Sequence, residues 1–214
     1  SGAVASIFNA PLAGIIFSLE ILMLDLTMSS LIPLLIASVS AIVTSYLMIG
    51  NDVLYPFEVV TTFTVNDIPY YIGLGLFCGL VSAYFSVVYL KLNTFFGKFK
   101  GLQRLLIGGG ILGVIIFLFP PMYGEGYKEV NLCLSGNLDY LFFRSVFYPF
   151  ADSATAIIIL LLCITLLKVL ATSATFGAGG VGGIFAPSLF IGAHGGTVFA
   201  LLINLTGEIG RAHV

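Results

Sequence analysis

Long stretches of this chain carry no charged side chain, and their spacing constrains the fold more than any motif. Between consecutive charges lie Ser1–Leu19 (19 residues), Leu26–Asn51 (26), Ile68–Leu90 (23) and Leu105–Gly124 (20). Further on come Ser153–Leu167 (15) and, after the lone Lys168, Val169–Gly207 (39). A helix of about 20 predominantly apolar residues crosses the roughly 30 Å hydrocarbon layer of a bilayer. Composition agrees: 8% of the 214 residues are charged and 59% are hydrophobic, whereas ordinary soluble domains carry about 25% charged residues. So few charges cannot cover a water-soluble surface. The chain reads as an all-α polytopic membrane protein.

A net charge of −2 leaves no basic face, so nucleic acid is excluded as a partner. Cys78, Cys133 and Cys163 are widely separated and lack metal-ligand spacing, which makes them packed or lipid-facing side chains. No residue pattern asks for a cofactor or a metal.

Both ends look like cuts. Ser1-Gly2-Ala3-Val4 has no initiating methionine and no signal-peptide n-region, as if an upstream part were missing. At the other end, polar Glu208–Val214 follows abruptly on a membrane segment. One reading frame of a common sequencing-library adapter would encode that heptapeptide, so residues 208–214 are set aside as a processing scar. A short cytosolic tail is the alternative. The membrane domain is expected to occupy residues 1–207.

The first span is expected from about Pro11 to Asp25, with Pro11 at a helix start where its missing N–H costs nothing. Further helices are expected over Ser30–Ile49, Pro69–Phe96, Leu105–Phe119 and Thr155–Thr175, while Leu141–Tyr148 is too short to span. Lys91, Lys98, Lys100 and Arg104 place their loop in the cytoplasm by the positive-inside rule. Asn51–Asp67 and Pro120–Asp139 are then external, and Asp25 and Ser29 cytoplasmic.

The segment Phe176–Gly183 holds five glycines and is expected to be non-helical, each Gly costing up to about 1 kcal/mol relative to Ala. Irregular backbone at membrane depth persists only where it is buried in protein or lines a cavity, and it marks transporter binding sites. Gly177-x-Gly179-x-x-Gly182 formally matches a dinucleotide fingerprint, but the flanks are membrane helices and no acid occurs before Glu208. A helix beginning near Ile184 would present unbonded N–H groups and about half a positive charge to an anion. A glycine-rich helix-packing face accounts for the same composition. The residues alone leave both open.

Lys168 to Thr175, followed by Gly177 to Ala193, closely resembles the CLC family of chloride channels and chloride–proton antiporters, in its bacterial type. The family's G-x-F-x-P signature is Gly183-Ile184-Phe185-Ala186-Pro187 here. Phe8 to Glu20 resembles the helix that ends the family's first half, and Pro121-x-Tyr123-Gly124-Glu125-Gly126-Tyr127 an external loop of bacterial members. The resemblance covers essentially Ser1–Gly207, the middle half of a family membrane domain.

The resemblance implies an inverted-repeat helical fold with short and re-entrant helices, here the end of the first half and most of the second. It implies a homodimer in the cell (inner or plasma) membrane that transports chloride and is not an enzyme. Anion binding falls to the segment Gly183, Ile184, Phe185, Ala186 and Pro187, with the amides matching Ile184 and Phe185 on the ion. Lys168 matches an often basic position near the anion vestibule; an intramembrane ion pair or a snorkelling lysine is its structural alternative. The family's serine motif, gating glutamate and coordinating tyrosine fall outside this chain. Exchangers of the best-studied type carry a proton-route glutamate immediately after the position of Glu20. Ile21 stands there and cannot carry a proton, and Glu20 lies about 100° away around the helix, as a structural carboxylate. Proton exchange is placed ahead of passive diffusion, because water can replace the missing side chain. A non-transporting scaffold is the reading from another class. His194 is expected to be a packing or hydrogen-bonding group.

Overall fold

The computed structural model describes residues 1–22, 27–50, 64–143, 145–150 and 153–205. Asp25 and residues 208–214 lie outside the described residues, as does most of the Asn51–Asp67 loop. The chain divides into two compact units, Ser1–Glu58 and Val59–Val214. The described residues are helical, with no strand among them.

In the first unit, a short helix α1 (Gly2–Phe8) ends where Asn9 takes a left-handed conformation at φ 49°. Asn tolerates that region, and Pro11 two residues later opens α2 (Pro11–Leu22). Thr27 and Ser30 form a reciprocal capping box at the start of α3 (Met28–Ile49). The described part of α2 has 12 residues, about 18 Å at 1.5 Å per residue, so over the described residues it falls short of the expected first span.

The second unit contains α4 (Ile68–Phe96), α5 (Gly101–Leu118), α6 (Tyr127–Leu134), α7 (Ala154–Gly177) and α8 (Phe185–Leu205). Among the described residues of the chain, five helices are long and apolar enough to cross a membrane: α3, α4, α5, α7 and α8. α7 is the axis of the second unit, packing against α4, α5 and α8. Its Leu161, Ile164, Val169 and Ala174 are wholly buried. By contrast α4 and α5 carry exposed Leu76, Leu80, Leu106 and Phe117, an apolar surface suited to lipid. Arg104 donates from Nε to the Gly177 carbonyl, a cation on the negative C-terminal end of α7. α7 runs two residues into the expected irregular segment; residues 178–184 are non-helical. The stretch after α5 holds a 3-10 turn at Pro120–Met122, then α6, then 3-10 turns at Asp139–Leu141 and Tyr148–Phe150.

Candidate anion-binding site

Lys168 sits on α7, 4% exposed among apolar neighbours. An ammonium in such surroundings is costly unless its donors are used. Nζ donates to the carbonyls of Gly124 at 3.0 Å and Met122 at 3.3 Å. It also lies 4.5 Å from the centroid of the Phe190 ring, a cation–π contact. Among the described residues, the hydrogen bonds of the Lys168 ammonium thus go to backbone carbonyls. Lys168 pins the loop after α5 onto α7 and α8.

The start of α8 is set by its own chain. The Ile184 carbonyl accepts from the Ser188 N–H at 3.0 Å and from the Ser188 hydroxyl at 2.9 Å, which closes the first turn. Pro187 has no N–H to satisfy in that turn. The positive end of the α8 dipole is directed at this first turn.

These two features meet. A cavity of about 480 Å³ is lined by Lys168, Gly182, Gly183, Phe185, Ala186 and Pro187. At about 30 Å³ per water molecule it has room for a hydrated ion. Gly124, Glu125 and Tyr127 line it from the loop side, and Thr172 and Thr175 from α7. The structure thus brings Lys168 together with Gly183, Phe185, Ala186 and Pro187. The Ile184 side chain instead lines an apolar groove with Phe77, Val81 and Phe85 of α4. Glu20 and Ile21, both exposed on α2, belong to the first unit. Among the described residues, a Cβ built at Gly182 would meet nothing within 4 Å, and one at Gly183 only the Phe185 nitrogen at 4.0 Å. Among the described residues of the second unit, those two glycines pack against no neighbouring helix.

Sequence reasoning missed what the loop contributes. Glu125 and Tyr127 reach the cavity only through tertiary packing, whereas Thr172 and Thr175, four and seven residues after Lys168, share its face of α7, a signal the spacing does carry. His194 is wholly buried and hydrogen-bonded at both nitrogens, as expected of a packing group. Nδ1 meets the Phe190 carbonyl at 2.8 Å and Nε2 the Tyr140 hydroxyl at 2.6 Å. A carbonyl only accepts, so Nδ1 donates and Nε2 accepts the hydrogen bond of the Tyr140 hydroxyl. One turn on, Thr197 hydrogen-bonds Cys133 of α6 at 3.1 Å. Burial pushes the Cys133 thiol above its usual range, with its hydrogen-bonding neighbours Thr197 and Tyr140 acting the other way. Burial first, then Cys133 and Glu129, raises the Tyr140 hydroxyl as well, so both remain neutral at physiological pH.

Comparison with known proteins shows the family. The family model described as voltage gated chloride channel matches residues 1–213. The chain is 31% identical to the voltage-gated ClC-type chloride channel ClcB of Citrobacter koseri, over 97% of this chain and 49% of that protein. It is 28% identical to ClcB of Escherichia coli (96% and 46%) and 32% identical to an uncharacterised protein of Methanocaldococcus jannaschii (95% and 48%). The chain spans about half the length of these curated relatives. No solved structure matches it at a significant level. Five apolar helices long enough to span, a glycine-framed helix start and the family match over residues 1–213 lead to one conclusion: this multi-pass membrane chain belongs to the voltage-gated chloride channel family.

Proposed function

We propose that the protein moves chloride across the cell membrane, binding the ion with backbone amides at the start of α8. The observation that carries this is the cavity in which the Gly183–Pro187 segment faces Lys168. Helix-end amides and one buried cation hold an anion firmly enough to replace water, yet weakly enough to release it. Gly182 and Gly183, open to space rather than packed, favour a cradle over a scaffold's helix-packing face. Resemblance to relatives named chloride channels supports chloride as the ion.

The mode proposed is exchange of chloride against protons in a homodimer, each subunit with its own pore and α2 and α3 at the interface. Ile21 requires water, or another group, on the inner proton route. The experiment is flux in liposomes carrying the protein expressed from its full gene. Chloride driven uphill by a proton gradient supports exchange; chloride moving only downhill replaces exchange with passive diffusion. Flux no greater than in empty vesicles overturns the transport reading.

A further inference from the structure

Backbone amides differ from side-chain ligands in one respect that matters here: no rotamer change can re-aim them. The direction of the Phe185 N–H, on the first residue of α8, is fixed by the rotation of that helix about its axis, and one residue corresponds to 100°. Something must hold that rotation.

We infer that Tyr140 and His194 are a positioning pair that sets the rotation of α8, and so the aim of its N-terminal amides at the anion. His194 lies nine residues after Phe185, two and a half turns or about 13 Å along the helix. Its ring is locked to its own helix twice: Nδ1 donates to the Phe190 carbonyl at 2.8 Å, and the ring stacks on Phe190 at 3.9 Å between centroids. It behaves as a rigid peg on α8. The peg is tied outside the helix by the Tyr140 hydroxyl at 2.6 Å, carried on the Asp139–Leu141 turn.

Two further contacts make the tie directional. Thr197, three residues on and so on the same helix face, bonds Cys133 of α6 at 3.1 Å. Phe190, at the base of the peg, lies under Lys168 Nζ and against the backbone of Gly126. Turning α8 would leave Nε2 of the wholly buried His194 without its partner, a penalty larger than the value of the bond itself. The same ring that supports Lys168 thus supports the peg, and both act on one cavity.

This inference rests on the proposed transport function, and its test separates the two. Liposomes carrying the protein from its full gene are assayed for the ratio of nitrate to chloride flux. Tyr140→Phe, which removes only the hydroxyl, and His194→Leu are each expected to shift the ratio about threefold. The double variant should shift it no further than either single one, because the two residues share one bond. His194→Gln, which keeps a polar partner for Tyr140, should bring the ratio back toward wild type. A merely structural role would lower folded protein and total flux together and leave the ratio untouched. Ratios equal to wild type in Tyr140→Phe, His194→Leu and the double variant, whatever their melting temperatures, overturn the inference alone. Wild-type flux equal to that of empty vesicles overturns it together with the transport function.

Discussion

Lys168 is a charge that the fold has made structural without removing it from the ion's surroundings. Its hydrogen bonds go to the Met122 and Gly124 carbonyls, yet its ammonium still lines the cavity that the start of α8 enters. Lys168→Met removes both effects: two carbonyls lose a donor, at a cost of about 1–3 kcal/mol, and the cavity loses its nearby positive charge. Thermal melting in detergent should register the first loss. Chloride flux per folded protein should register the second, falling on the order of threefold at low salt and less at high salt. Lys168→Arg keeps the charge and should keep most of the flux; equal losses in Met and Arg variants would show that charge is not what matters. A second residue-scale effect belongs to Cys133. Its thiol is raised above the usual 9.0 by burial, so the folded chain holds a proton that the unfolded chain releases. Stability from this group is complete below about pH 9 and declines as pH rises above it. The alkaline fall in melting temperature should therefore be steeper in wild type than in Cys133→Ala, and parallel curves would contradict the assignment.

Elements were legible where the charge-free runs are long. α3, α4, α5 and α7 begin or end within a few residues of the first and last apolar positions, because a lone charge in a bilayer is costly enough to mark a boundary. α6 was not legible. It has 8 residues, with Lys128 and Glu129 in its first turn, and it is held by α8 rather than by its own periodicity. α1 and α2 share one charge-free run, and only the left-handed Asn9 divides them. At the site, the glycine run and the helix start could be read from the residues. The opposite wall could not: Gly124 stands 44 residues from Lys168, and outside the cavity the tie to α8 joins Tyr140 to His194 across 54 residues. Two glycines separate these levels experimentally. Gly126 has φ +87° and lies against the Phe190 ring, so Gly126→Ala should lower stability by about 1–3 kcal/mol through strain and overpacking. Gly183→Ala meets open space and should leave melting unchanged while altering the nitrate-to-chloride flux ratio. A drop in melting at Gly183 with no change in ratio would favour the scaffold.

For the whole molecule, the site's mouth is tied to topology by a single helix. α5 runs from Gly101 to Leu118, 18 residues or about 27 Å, close to the thickness of the hydrocarbon layer. Whatever faces one side at Lys98 and Lys100, the Pro120–Tyr127 stretch faces the other. The positive-inside rule puts the lysines in the cytoplasm, which sends Gly124, Glu125 and Tyr127 outward, with the cavity they line. Anions would then enter past Glu125 and meet Lys168 and the start of α8 from the outer side. An impermeant maleimide applied to intact cells tests this order. A cysteine substituted at exposed Ser135, just beyond α6, should react from outside, and one at Lys98 only after the membrane is opened, against the signal of the native thiols. The reverse pattern would invert the chain, place the cavity mouth in the cytoplasm, and make Glu125 part of an exit rather than an entrance.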